Sequence, residues 1–314
     1  MGHDLVRIGG EPASFSGRVL RMRDPKSAWQ CVLIAWGDRY PVSEINRLVA
    51  SVRSQSKGPA RFVLLSDRER PGLDPGVELR DIPAWFLVPD LRGPGCQAKL
   101  CLFEPGVVPA DMPAIYIDLD TIVFGDLSRL VQLMESPQTI AILQSAILPF
   151  GAFARWLYRV TDKRRYARGN SSVVVYHPAH ATYIAKRFRE LVAQHGIAAF
   201  RPLWADERFI SWVAQPVMRA VPGTLVVKFP TEYMQPWRWL VHLRARLPWI
   251  RRRRDGLIAV TFPGVKLKGE DLAALPEGAV VTDRKGRRLF WTDRALGSLR
   301  RKIIDFYGTS SAPQ

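Results

Sequence analysis

Ala114-Ile115-Tyr116-Ile117-Asp118-Leu119-Asp120-Thr121-Ile122-Val123-Phe124-Gly125-Asp126 is the stretch on which the fold turns. Its apolar, β-branched and aromatic run reads as a buried strand, and that run stops in two carboxylates with one leucine between them. In an extended chain residues i and i+2 share a side, so Asp118 and Asp120 would stand roughly 6–7 Å apart on one face, with Leu119 on the other. Two anionic oxygens at the mouth of a sheet suit a hard divalent cation, and a cation with open positions suits a diphosphate. The same Asp-x-Asp also arises where Asp118 caps a turn and Asp120 is solvated, so the surroundings of the motif decide its meaning.

Upstream, Gln30-Cys31-Val32-Leu33-Ile34-Ala35-Trp36 is a short apolar strand, Gly37-Asp38-Arg39-Tyr40-Pro41 turns the chain, and Ile45, Leu48, Val49 and Val52 recur at helical spacing. Arg61-Phe62-Val63-Leu64-Leu65-Ser66-Asp67 is a second strand, again closed by an acid. Strand, helix and strand in this order form a βαβ unit, which demands a parallel sheet with a right-handed crossover. Ligands of such sheets bind outside the carboxyl ends of the strands. Asp38, Asp67, Asp118 and Asp120 all fall at that edge. Residues 77–83 are predicted as an edge strand, 96–103 as a short helix leading to the Asp118 strand, 127–134 as an amphipathic helix, and 139–143 as a strand.

Farther along, Gly169-Asn170-Ser171-Ser172 is a polar entry into the strand Val173-Val174-Val175-Tyr176, followed by a helix over 179–193. Asp206 and Glu207 open another helix, where two acids also suit the helix dipole with no functional role. Residues 226–230 and 258–268 are predicted as strands, the latter closing on Gly264-Val265-Lys266-Leu267-Lys268. Between them, residues 235–254 interleave Trp237, Trp239 and Trp249 with leucines and arginines and end in Arg251-Arg252-Arg253-Arg254. That pattern fits an interfacial amphipathic segment held by anionic headgroups, or a core helix followed by a solvated arginine run.

Composition narrows the class. The 314 residues, 47% hydrophobic and 24% charged, are enough for a full core, so disorder is not the default. A net charge of +17, from 46 Lys+Arg against 29 Asp+Glu, implies anionic partners. No helix-turn-helix, zinc-finger or RNP-type signature accompanies it, so no nucleic acid is expected. Cys31, Cys96 and Cys101 cannot all pair within the chain and have no metal-ligand spacing, and residues 1–7 lack an apolar signal region. The apolar stretch 140–154 is too short to span a bilayer. A cytoplasmic protein, free of transmembrane segments but able to lie on the inner face of an anionic membrane, is the expectation. Residues 1–28 read as an N-terminal extension, 29–268 as the main domain and 269–314 as a peripheral tail with a short final helix.

The order of these elements resembles the GT-A glycosyltransferases, and within them the family-eight-type enzymes and their bacterial relatives, over roughly residues 29–268. The most specific part is Tyr116-Ile117-Asp118-Leu119-Asp120 running on into Gly125-Asp126-Leu127. The resemblance implies an α/β fold with a mixed, largely parallel sheet flanked by helices. It implies a nucleotide-diphosphate sugar as donor, a glycan or lipid-linked acceptor as in surface polysaccharide biosynthesis, and Mn2+ or Mg2+ held by Asp118 and Asp120. Trp36, Gly37, Asp38 and Tyr40 match the nucleotide-binding entry, and Asp67 matches the acid near the base. Lys99 matches a basic residue at the donor sugar or phosphate, Asn170 and Ser171 the polar turn beside that sugar, and Asp206 and Glu207 an acid-amide pair, with glutamate for the usual glutamine. Lys266 or Lys268 would neutralise the leaving diphosphate. The family's third metal ligand is a histidine before the late glycine, where this chain has Thr261 and Phe262. Metal binding without donor is therefore expected to be weak. A nucleotidyl or phosphoryl transferase would use the same carboxylates, and a non-catalytic basic protein binding nucleic acid or membrane would use the charge alone.

Overall fold

The computed structural model describes residues 28–144, 148–263 and 267–308, so all but the last residue of the predicted extension over residues 1–28, and Lys266, lie outside the described residues. Strands β1 (Trp29–Ala35), β2 (Pro59–Ser66), β3 (Val77–Asp81) and β4 (Ala114–Ile117) pair in parallel, in the order β3-β2-β1-β4. The predicted βαβ unit is there: the helix Val42–Gln55 connects β1 to β2 and buries Ile45, Leu48, Val49 and Val52 against the sheet. Burial of each such side chain is worth about 1.5–3 kcal/mol, which offsets the lack of a side-chain cap at Pro41.

The opening stretch is not one strand. A turn closed by the Thr121 amide on the Asp118 carbonyl at 3.1 Å separates β4 from β5 (Thr121–Val123), which belongs to a second sheet. The two aspartates therefore flank a turn instead of sharing the face of an extended chain.

Past β5, the predicted helix over 127–134 is a single turn, Ser128–Val131, and leads to β6 (Ile140–Gln144). Strand β7 (Gly169–Tyr176) runs antiparallel to both β4 and β6, while β8 (Met218–Val221) is parallel to β6, giving a seven-stranded sheet β3-β2-β1-β4-β7-β6-β8. Asn170, Ser171 and Ser172 lie inside β7, not in a loop before it. A Cβ on Gly169 would fall 1.8 Å from the Ile142 side chain, so only glycine lets β7 start beside the bulge in β6. Because β7 alone is reversed, its amino end shares one sheet edge with the carboxyl ends of β1, β2, β4 and β6.

Alternation along β4 divides the core. Ile115 and Ile117 pack with the Val42–Gln55 helix, whereas Ala114 and Tyr116 face Phe103, Phe188 and Phe209 of the elements on the opposite side. That second layer holds the 3-10 helix Gln97–Phe103, the helices Pro178–Ala181 and Tyr183–His195 where one helix over 179–193 is predicted, and the helix Asp206–Val213.

A small sheet, β5-β10-β9, is made with β9 (Val226–Lys228) and β10 (Ala259–Thr261), both shorter than predicted. Pro230 enters a helical turn, Phe229–Tyr233, where a strand is predicted, because proline cannot donate to a ladder but suits the first turn of a helix. Residues 235–254 form two helices, Arg238–Arg246 and Pro248–Asp255. The antiparallel pair β11 (Val280–Thr282) and β12 (Arg288–Phe290) and the helix Leu299–Gly308 complete the described chain. Leu289, Trp291, Leu296 and Ile303 from this last part pack with Ile122, Phe229 and Phe262, giving it a buried core in common with the small sheet.

Candidate active site

The sheet edge where the carboxyl ends of β1, β2, β4 and β6 meet the amino end of β7 carries a tight group of charges. Lys99, from the 3-10 helix, donates to Asp118 Oδ1 at 2.6 Å, and the Tyr116 hydroxyl donates to the same oxygen. The Asp118 amide donates to the Ser172 carbonyl of β7 at 2.9 Å, so the carboxylate begins where β4 leaves the sheet. Burial works against the charge on Asp118, yet Lys99 beside it and hydrogen bonds from Lys99, Tyr116 and Ser172 hold its carboxyl below the usual range. Lys99 is likewise desolvated, and the attraction of Asp118, Tyr116 and Asp206 holds it charged well above its ordinary value.

Asp120 is in the opposite condition. Its Oδ1 is buried with no hydrogen-bond partner, and burial together with the nearby Asp118 raises its pKa to about 7. Lys99, Lys228 and Arg39 act against that shift. Neither aspartate therefore matches the alternative of a turn cap followed by a solvated acid. A buried carboxylate oxygen left unsatisfied is costly, and a cation shared with Asp118 would satisfy it. The residues present fit a divalent metal in that respect. Among the described residues there is no cluster of three or more His, Cys, Asp or Glu side chains suited to a metal ion. At the position of the missing histidine, the Thr261 hydroxyl is buried and unpartnered, and the Phe262 amide donates to the Asp120 carbonyl at 2.9 Å while its ring stacks on Phe229.

Asp206 and Glu207 open the helix Asp206–Val213, whose amide at Asp206 donates to the Gly95 carbonyl. The structure sets this pair against β7: Ser171 Oγ donates to Asp206 at 2.6 Å and Asn170 Nδ2 to Glu207 at 2.8 Å. Burial raises the Asp206 pKa to about 6, with Lys99 and the Ser171 hydrogen bond opposing. The unfolded-state value is near 3.9. The folded protein therefore binds more protons here between pH 4 and 6, and stability falls as pH rises through that window. Asp206→Asn is expected to raise the melting temperature by several degrees at pH 8, a gain of about 2–3 kcal/mol. At pH 4 the gain disappears; equal effects at both values in calorimetry would refute a raised pKa.

At the other implied positions the geometry is more restrictive. Gly37, at φ +63°, donates its amide to Asp67 Oδ2 at 3.0 Å. Arg68 and the buried Arg70 also pair with Asp67, and Arg70 reaches the Ala35 and Gly37 carbonyls. Asp67 is thus the anchor of the 36–40 loop, with its carboxylate held below the usual range despite burial. Asp38 is exposed and pairs with Arg68, while Trp36 packs against the core on the Tyr116 face and Tyr40 on the other. Burial, and next the charge of Asp120, push the Tyr40 hydroxyl upward, which sets that ring near the aspartates. Lys268 precedes the helix Gly269–Ala273, and its charge acts on Glu44, opposing the effect of burial there. Sequence reasoning missed Arg39 and Lys228 as neighbours of Asp120; a cation at a strand end and one within an acid-aromatic loop were the available signals.

This sheet order, with a carboxylate pair where its central strand ends, defines a GT-A-type fold. Among solved structures, the chain is similar to the galactosyltransferase LgtC in complex with donor and acceptor sugar analogs, at TM-score 0.55 and 14% identity over 91% of this chain and 98% of that one. It is also similar to the bifunctional glycosyltransferase WbbM in its apo form, at TM-score 0.54 and 12% identity, with 96% of this chain matched to 52% of that one. The chain thus spans about half of WbbM's length. No protein-family model and no curated protein matches the sequence.

Proposed function

We propose that the protein is a metal-dependent glycosyltransferase that moves a sugar from a nucleotide-diphosphate donor to a glycan or lipid-linked acceptor. The observation that carries this reading is the gathering of Lys99, Asp118, Asp120 and Asp206 at one edge of a GT-A-type sheet. Asp118 and Asp120 would hold Mn2+ or Mg2+. A divalent cation there supplies positive charge to the diphosphate as it leaves. Lys99 adds fixed positive charge close to the same group, in a partly desolvated setting where charge stabilisation is strong. In the reaction the bond from the anomeric carbon to the β-phosphate oxygen breaks, the electron pair departs with the nucleoside diphosphate, and the acceptor oxygen bonds to that carbon. Asp206, with a pKa of about 6, is the carboxylate suited to take the acceptor proton. Glu207, fixed by Asn170, orients the donor sugar.

The test is thermal protection of the purified protein by nucleoside diphosphates and sugar nucleotides, with and without Mn2+. Saturation at a hundred times Kd stabilises by about 2.7 kcal/mol, so a matched nucleotide is expected to raise the melting temperature by several degrees, and to need the metal. No shift with any nucleotide and metal would remove the reading. Product analysis then distinguishes transfer of the sugar from transfer of a phosphoryl or nucleotidyl group.

Peripheral membrane contact through residues 235–254 belongs to the same reading. Trp237, Trp239 and Trp249 are exposed, and an open depression of about 520 Å³ is lined by Trp237, Arg238, Trp239, His242 and Arg288. The arginine run is divided: Arg251 and Arg252 face solvent, whereas Arg253 and Arg254 pair with the buried Glu232. Among the described residues no helix is long and apolar enough to cross a membrane. Val241 and Ile250 are buried, so substitution is a cleaner test than deletion. Trp237→Ser/Trp239→Ser/Trp249→Ser is expected to lower affinity for anionic vesicles at least tenfold in co-sedimentation, and undiminished binding would refute the contact.

A further inference from the structure

The helix Ala152–Val160 has two apolar stripes. Ala154 and Tyr158, four residues apart, are both buried, Tyr158 in the core on the Tyr116 side of the sheet. Phe153, Trp156 and Val160 follow the opposite stripe and are 62%, 55% and 57% exposed. The rings of Phe153 and Trp156 stack with centroids 5.7 Å apart, forming one apolar surface. Such a surface on a soluble helix marks a place of contact.

Cations surround it. Residues 152–168 contain Arg155, Arg159, Lys163, Arg164, Arg165 and Arg168 against the single acid Asp162. Among the described residues none of those six side chains is in an ion pair, whereas Arg68, Arg189, Arg253 and Arg254 elsewhere in the fold each have a carboxylate partner. The turn after the helix is firmly fixed. Thr161 Oγ1 donates to Leu157 and accepts from the Arg165 amide, and the Trp212 indole donates to the Lys163 carbonyl at 3.1 Å. Arg168, Arg201 and Arg208 converge electrostatically on Tyr166, and Arg208 lies over the exposed Trp204 ring, two residues before Asp206.

The position of this surface follows from topology. The segment leaves the sheet at the end of β6 and returns at the start of β7, and both points lie on the edge that carries Asp118 and Asp120. We propose that the helix Ala152–Val160 and the basic turn after it dock on an anionic lipid bilayer, with Phe153 and Trp156 entering the interface and the cations meeting headgroup phosphates. An exposed aromatic stripe flanked by unpaired cations is complementary to that surface, whereas a neutral apolar partner would leave the charges unmet. Docking in this way turns the catalytic edge toward the membrane. It is separate from the tryptophans of residues 237–249 and requires no donor, so its failure would leave the transfer reading standing.

Co-sedimentation with vesicles of phosphatidylcholine alone, or of phosphatidylcholine with phosphatidylglycerol, tests it. Wild-type protein is expected to bind the anionic vesicles only. Phe153→Ser/Trp156→Ser should lose at least tenfold in affinity, and Arg164→Gln/Arg165→Gln about fivefold for each charge removed. Trp237→Ser/Trp239→Ser/Trp249→Ser should retain the part of the binding that these two variants remove. The side chains are exposed, so all variants should melt as wild type does; if the aromatic variant does not fold, the arginine variant decides. Unchanged binding in the folded variants, no wild-type binding to anionic vesicles, or a wild-type dimer that Phe153→Ser/Trp156→Ser converts to monomer would overturn the proposal.

Discussion

Asp120→Asn is expected to reduce sugar transfer and donor hydrolysis on the order of a thousandfold, with no loss of thermal stability. The two outcomes have one cause. Asp120 carries a buried oxygen with no hydrogen-bond partner and a carboxyl pKa raised to about 7, so the folded protein gains nothing from its charge. A buried charge kept without a partner is the usual mark of a functional site. The amide has nearly the same shape and removes the charge, so the turn closed by Thr121 on Asp118 remains. Initial rates of donor-sugar release, measured beside a calorimetric melt, check both halves. Undiminished transfer would sink the assignment, and a large drop in melting temperature would make Asp120 a structural residue.

Lys99→Met is expected to do what the first variant does not, which is to destabilise the fold. Lys99 and Asp118 are mostly buried and 2.6 Å apart, and taking the cation away leaves an uncompensated carboxylate, at a cost of about 3–5 kcal/mol. Both side chains keep a little solvent exposure, so the lower end of that range is expected. The sign with pH is set by Asp118, whose folded-state carboxyl lies below its ordinary value. Its stabilisation is present above the usual carboxylate range and is lost as pH falls through the folded value. The defect of Lys99→Met should therefore be full at pH 7 and shrink toward pH 3 in urea unfolding. Adding Asp118→Asn to the lysine variant should recover much of the stability at pH 7. A pH-independent defect with no recovery would show that Lys99 acts through packing of its stem alone.

These two residues illustrate what the sequence made legible. The strand ending at Ile117, the acids after it and the βαβ unit over β1 and β2 could be read because burial on both sheet faces demands continuous apolar runs, and an acid can stand only where such a run stops. Asp206 and Glu207 could be placed at a helix start for a comparable local reason. Other features depend on contacts across the chain. The 127–134 pattern satisfies a helix, yet Leu127 and Leu130 reach the core within a single turn. Residues 251–254 are four identical arginines by sequence, and the buried Glu232, distant in the chain, draws in two of them and leaves two outside.

The sequence by itself determined the layered α/β class, the strand edge where acids collect and the residue types available there, because hydrophobic periodicity is a local record of which faces are buried. Tertiary structure alone decided that Asp118 is paired and Asp120 is not. Lys99 is 19 positions before Asp118, and Ser171 is 35 before Asp206. Their meeting depends on the layer packed over the Tyr116 face and on the reversal of β7, which brings the amino end of one strand beside the carboxyl end of another. Charge acts through space, so the state of each carboxylate was fixed only when the sheet had brought its neighbours together.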